Sequence, residues 1–156
     1  MAEIALVVDR WSLVAVTAAA WLVAMSMAGL MTAYLRTSGL HRNGLLEQER
    51  LGHALSAFLA EPRRFQVTIG TLYLVATILG GLSWGILLAS VWDGVLDAGF
   101  YLVFGSTALL GWSLGGLAFK LLATGTAVPY ARIIGTLVYP LNWALRPWSA
   151  VLLAVM

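Results

Sequence analysis

The sequence predicts an all-α integral membrane protein with three transmembrane helices, an inner-leaflet amphipathic helix and a C-terminal juxtamembrane broken helix. Two observations predict it. Hydrophobic residues make up 61% of the 156 and charged residues only 10%, with a mean hydropathy of +0.90, whereas an ordinary soluble domain carries about 25% charged residues. A soluble core in a chain of this length would need a charged shell that this composition does not supply. The apolar residues also fall in long uncharged runs, too long for a spanning strand and without the alternation of a barrel strand.

The first run covers residues 11–35, between Arg10 and Arg36, and about 20 such residues cross the hydrocarbon as a helix. The second covers residues 65–92, uncharged from Arg64 to Asp93, and the third covers residues 99–119, between Asp97 and Lys120. Together they make one transmembrane domain over residues 1–156. The stretch before Trp11 carries Glu3 and Asp9 against Arg10. It therefore lacks the positive region of a signal peptide, and the run after it is too long for a signal core, so the first helix is expected to be permanent.

Between the first two runs, residues 46–59 read as a helix, within an interfacial segment of about 45–60. Leu51, Leu55, Phe58 and Leu59 share one face, with Glu47, Glu49, Arg50 and His53 largely elsewhere. Such a helix can lie on the inner leaflet, on the protein's own bundle or against a partner. Pro62 ends it. At the far end, residues 133–156 are apolar, but Arg146 stands near the middle and Pro140 and Pro147 interrupt the run. A central arginine costs about 2.5–3.5 kcal/mol on insertion scales, and each proline removes a backbone donor. The expectation is a broken helix at the interface, with Trp143, Arg146 and Trp148 at headgroup level and Trp92 as a further interface anchor; the alternative is a fourth span, since arginine can snorkel and packed membrane helices tolerate proline.

Orientation follows from the cations. Residues 36–64 hold Arg36, Arg42, Arg50, Arg63 and Arg64, whereas residues 93–98 hold two aspartates and no cation. The positive-inside rule then puts the first loop and the C-terminus in the cytoplasm and the N-terminus outside.

The order of these features resembles a known family. Residues 49–70 (ERLGHALSAFLAEPRRFQVTIG) are similar to the loop and second-helix entry of the CorC/cyclin M (CNNM) magnesium-transporter transmembrane domain, and residues 131–146 (ARIIGTLVYPLNWALR) to its juxtamembrane segment. The resemblance covers about residues 12–152. It implies three transmembrane helices, an outside N-terminus, a cytoplasmic belt, usually a dimer, and a bacterial cytoplasmic membrane. It also leads one to look for cytoplasmic regulatory domains after the module, and the sequence stops at Met156.

The family's ion-site motifs are altered here. Where the first helix of the family reads S-x-S-E-x-A-L, residues 26–32 read SMAGLMT, which keeps Ser26 and puts Gly29 where the acid belongs. Thr71, Leu72 and Val75 follow Gly70 where the family places asparagines. The third-helix signature G-E-x-x-P-K becomes GGLAFK at residues 115–120, with Gly116 and Phe119 replacing the acid and the proline. Magnesium binds hard oxygen ligands and sheds water reluctantly, yet no Asp or Glu lies in any of the three runs. If transport persists, Ser26, Thr71, Gly115 and Gly116 are the candidate ligand positions. The other hydroxyls of the runs, among them Thr68, Thr77, Ser83, Ser106, Thr107 and Ser113, are expected to bond neighbouring backbone.

Gly81 with Gly85 and Gly111 with Gly115 form small-xxx-small pairs that permit close helix approach, either between two chains or, as the sequence neighbourhood of the second and third helices favours, within one. Trp84, Trp112 and Tyr101 are interface anchors or contacts to lipid, pigment or another subunit. His41 and His53 both fall in the inner loop, where His53 can pair with Glu49 one turn earlier, and no third ligand accompanies them for a metal. There is no cysteine, no phosphate loop, no H-E-x-x-H and no nucleophile elbow. The expectation is a non-catalytic structural or accessory subunit of a larger membrane complex, without a predicted cofactor beyond bound lipid or pigment. Its partners would be the lipid bilayer and other membrane subunits or a homodimer mate, not nucleic acid. The alternative is a divalent-cation or sodium-coupled transporter domain that works through hydroxyl and backbone ligands.

Overall fold

The computed structural model of the protein describes residues 10–42, 52–92 and 96–155. Among these residues the regular structure is entirely helical: α1 Arg10–Arg42, α2 Gly52–Ala60, α3 Pro62–Ala89, α4 Ala98–Gly125, α5 Ala127–Ala144 and α6 Arg146–Val155. Helices α1, α3 and α4 are long and apolar enough to cross a bilayer, the pattern of a multi-pass membrane protein. At 1.5 Å per residue the 33 residues of α1 extend about 50 Å, well beyond the roughly 30 Å of hydrocarbon. Its last two turns therefore carry Arg36, His41 and Arg42 past the apolar stretch.

The three long helices alternate in direction. Arg10 Nη2 donates to the Ser90 carbonyl at 3.2 Å, tying the start of α1 to the end of α3. At the opposite end the Arg36 guanidinium donates to the Thr124 carbonyl near the end of α4. Pro62, whose missing N–H costs nothing in a first turn, opens α3. The Asp97 carboxylate caps α4 by accepting from the Phe100 N–H at 3.0 Å, an interaction that typically stabilises a helix by about 1 kcal/mol.

Helix α1 is the hub, packing against α3, α4 and α5, whereas the contact between α3 and α4 is slight. The core sits toward the Arg36 end. Leu30, Ala33 and Tyr34 of α1, Phe65 and Ile69 of α3, Leu55 and Phe58 of α2, and Ala131 and Val138 of α5 are buried together there. Phe65 joins the helices, with its ring centroid 4.3 Å from that of Tyr34 and 4.5 Å from that of Phe58.

Several expectations change. The helix expected over residues 46–59 is seen as Gly52–Ala60, and residues 43–51, including Leu51 and Glu49, lie outside the described residues. Its apolar face, Leu55 and Phe58, is spent on the protein's own core, against α5 and α3. His41 is on the last turn of α1 rather than in a loop. The third long helix runs on to Gly125, carrying Lys120 within it. Pro140 does not interrupt: α5 begins at Ala127, continues through it and breaks at Leu145, before Pro147. The reason is which way Pro140 faces. It is exposed, as is Thr136, whose carbonyl loses its partner, while Ala131, Gly135 and Val138 on the other face are buried. Packing of that face holds the helix together across the proline.

Candidate functional site between α1, α3, α4 and α5

Of the positions to which the sequence assigns ion chemistry, Gly116 lines a cleft beside Tyr73, while Ser26, Thr71 and Gly115 line neither of the two clefts there. On α1, the backbone at Ser26–Gly29 is met from outside by α5: the Tyr130 hydroxyl donates to the Ser26 carbonyl at 3.2 Å. A Cβ on Gly29 would lie 2.5 Å from the Tyr130 oxygen, 2.9 Å from its Cζ and 3.2 Å from the Phe119 carbonyl oxygen of α4. Gly29 is thus where a phenol from α5 and the backbone of α4 both press on α1. Burial pushes the Tyr130 phenol above its ordinary pKa of 10.0, because the ionised form loses its hydration.

On α4, Gly115 faces the thioether of Met25, while nothing lies within 4 Å of a Cβ built on Gly116. Gly116 opens instead onto a cleft of about 340 Å³ lined also by Met25, Ala28, Tyr73, Trp112 and Lys120. A second cleft, of about 360 Å³, lies on the other side of Tyr73, between Met27, Met31, Ile69 and Gly70. Ala28, Tyr73 and Lys120 line both. Thr71 is half-buried and lines neither; the α3 wall is made by its neighbours.

The polar groups of these clefts are arranged by hydrogen bonds within the bundle. Trp112 Nε1 donates to the Tyr73 hydroxyl oxygen at 3.0 Å, with the two rings edge to face at 5.5 Å. The Thr32 hydroxyl donates to the Ala28 carbonyl. Elsewhere Thr77, Ser83, Ser106 and Thr107 donate to carbonyls three or four residues earlier, while Thr68 donates across to Asn142 Oδ1 at 2.7 Å, linking α3 to α5. Among the described residues no three His, Cys, Asp or Glu side chains come together as metal ligands. His53 Nε2 lies 3.5 Å from the Tyr139 hydroxyl.

The glycine pairs of α3 and α4 do not meet each other. The Trp21 indole of α1 lies between those helices, against Gly80 on one side and Gly111 on the other, whereas Gly85 faces Phe104 and Gly81 has nothing within 4 Å. Trp84 is half-buried in the bundle as well, its ring tilted against that of Trp21 at 6.0 Å and its Nε1 donating to Thr107 Oγ1 at 3.1 Å. Trp92 sits edge to face on Phe100 at 5.6 Å. Trp143 and Trp148 are exposed, and Arg146 borders a small polar pocket with Glu61, Arg64 and Asn142. The residues that sequence reasoning passed over are Tyr130, Tyr73 and Trp21, because each works through a contact with a helix distant in the chain.

Comparison of the chain with family models, with curated proteins and with solved structures returns no match.

Proposed function

We propose that this protein is a non-catalytic structural or accessory subunit of a larger complex in the bacterial cytoplasmic membrane, on a scaffold resembling the CorC/CNNM transmembrane domain with its cation site replaced. The observation that carries this reading is the Tyr130 phenol against Gly29. Where the family's acid would project from α1, a neutral side chain of α5 fills the space and hydrogen-bonds the backbone. Lys120 adds to it, because a fixed ammonium bordering the cleft at Gly116 repels a divalent ion that would have to shed water to enter.

In this reading α1, α3 and α4 cross the bilayer. Arg36, Arg63, Arg64, Lys120 and Arg132 belong to one end of the bundle, and Arg10 and Asp97 to the other, so the positive-inside rule assigns the Arg36 end to the cytoplasm. Helices α2, α5 and α6 then form a belt at the inner leaflet. Leu102, Leu109, Leu110, Leu114 and Leu121 leave one face of α4 more than half exposed, a surface for lipid and for neighbouring subunits.

Two measurements together test the proposal. Extraction in a mild detergent is expected to recover the chain with partner subunits in fixed stoichiometry, and proteoliposomes holding the chain alone are expected to show no saturable uptake of magnesium, manganese or sodium. Recovery as a lone homodimer with saturable uptake that Ser26→Val abolishes would overturn it in favour of a transporter.

A further inference from the structure

The two clefts beside Tyr73 are lobes of one opening, since both are lined by Ala28, Tyr73 and Lys120. Its walls are hydrocarbon and thioether: Met25 and Leu117 in one lobe, Met27, Met31 and Ile69 in the other. Its polar edge carries Lys120 and the hydroxyls of Tyr73, Thr32 and Ser113, and its one charged group is a cation. Lys120 contributes a full positive charge. The Tyr73 oxygen accepts from Trp112 Nε1, which leaves its phenolic proton free to donate to a ligand. The Thr32 proton is committed to the Ala28 carbonyl. No Asp or Glu is among the lining residues, so the only charge the opening offers a ligand is positive, set among hydroxyls above an apolar trough.

The depth of Lys120 fits the same chemistry. It lies five residues before the end of α4 at Gly125, about 7.5 Å along the axis, and a lysine stem of that reach brings its ammonium to the headgroup layer while its methylenes cover apolar surface. The trough beneath runs from that level along α1 to Met25. A small inorganic anion would leave these walls unfilled, and a neutral lipid would leave the ammonium without a counter-charge. Sites of several hundred cubic ångströms with apolar walls and a few convergent polar groups are where amphiphilic ligands are held.

We propose that the opening between α1, α3 and α4 is a site for one anionic phospholipid, its phosphate held by the Lys120 ammonium and the Tyr73 hydroxyl, and an acyl chain lying along Met25 and Leu117. The inference does not depend on whether the chain is an accessory subunit or a transporter.

The test is native mass spectrometry of the delipidated chain in mild detergent, titrated with phosphatidylglycerol and with phosphatidylcholine of the same acyl chains. One phosphatidylglycerol is expected to be retained in preference to phosphatidylcholine by about fivefold or more. Lys120→Met, which keeps the apolar stem, is expected to abolish the preference, Lys120→Arg to keep it and Tyr73→Phe to weaken it. Arg63→Met, removing an exposed charge near the same end, should leave it unchanged. Circular dichroism and the Tm of each variant show that the fold is intact. Equal retention of the two lipids, or a preference indifferent to Lys120→Met, would overturn the proposal. So would displacement of phosphatidylglycerol by millimolar inorganic phosphate, because the site would then be one for a free anion.

Discussion

Tyr130 and Gly29 share one volume: the phenol oxygen of α5 stands 2.5 Å from where a Cβ on Gly29 of α1 would be, and the same hydroxyl donates to the Ser26 carbonyl three residues earlier. The glycine is therefore a seat for the tyrosine. Replacing it tests the relationship directly. Gly29→Ala gains up to about 1 kcal/mol of helix propensity but forces apart a contact in which the ring and the Phe119 carbonyl both resist. Overpacking of this kind costs about 1–3 kcal/mol. The expected result is a net loss of stability in detergent denaturation, and a smaller loss when the same substitution is made in a Tyr130→Leu background. Equal losses in both backgrounds would place the strain at Phe119 instead.

Neighbouring glycines make an internal control. Gly80 and Gly111 receive opposite edges of the Trp21 indole, and a Cβ on Gly111 would lie 2.6 Å from Trp21 Cζ3. Gly81 and Gly116, one residue along from Gly80 and Gly115, face nothing within 4 Å. Alanine at Gly80 or Gly111 is expected to lower stability by about 1–3 kcal/mol, and alanine at Gly81 or Gly116 to leave it unchanged or raise it by up to about 1 kcal/mol. Thermal denaturation of the four variants in one detergent decides it. Alanine tolerated at Gly111 would mean that the indole can move aside.

That comparison also shows what the sequence made legible. The three long helices could be read from uncharged runs because burial in lipid and helix formation both act on consecutive residues. Arg146 and Pro147 likewise marked the break at Leu145 to within two positions. Pro140 misled because a proline's effect depends on which face it occupies, and the face is fixed by Gly135 and Val138 packing on a distant helix. The glycines misled for a related reason: their spacing announces close approach without naming what approaches, and the large residue that fits them, Trp21, is in α1. Tyr130 was silent altogether. Nothing local distinguishes a tyrosine that reaches a carbonyl 104 residues away from one that anchors at a membrane surface.

Thr68 and Asn142 fasten α5 to α3. The Thr68 hydroxyl, almost fully buried, donates to Asn142 Oδ1 at 2.7 Å. Side-chain hydrogen bonds between helices in bilayers contribute about 0.6 kcal/mol on average and up to about 1.7. Thr68→Val and Asn142→Leu are each expected to lower stability within that range, and the double variant to lose less than their sum. A double-mutant cycle reads the coupling, and strict additivity would mean that the bond contributes nothing.

Alkaline pH should loosen the same belt through Tyr130. Burial holds the folded-state pKa of its phenol above 10.0, whereas in the unfolded chain the group ionises near 10. Below pH 10 both states hold the proton and stability is indifferent to pH. As pH rises above 10 the unfolded state releases its proton first, so stability falls until the folded-state pKa is passed. Denaturation between pH 9 and 11 should show a steeper decline for the natural chain than for Tyr130→Phe. Parallel declines would mean that the phenol is no harder to ionise in the fold than out of it.

The proposed topology rests on cations gathered at the Arg36 end of the bundle, and the absence of cysteine from the sequence makes it easy to probe. Any introduced thiol is the only one. Ser90, at the end of α3, is exposed, and its carbonyl rather than its side chain takes the Arg10 bond; Ser56 is exposed on α2 at the other end. The positive-inside rule predicts that a membrane-impermeant maleimide labels Ser90→Cys in intact spheroplasts and labels Ser56→Cys only after permeabilisation. The reverse pattern would put eight of the nine Lys and Arg residues on the outer face, against the charge bias that orients short loops, and the orientation proposed for α1, α3 and α4 would have to be inverted. Labelling of both positions from outside would mean that α3, the long helix between them, does not cross the membrane, whatever its length and hydropathy.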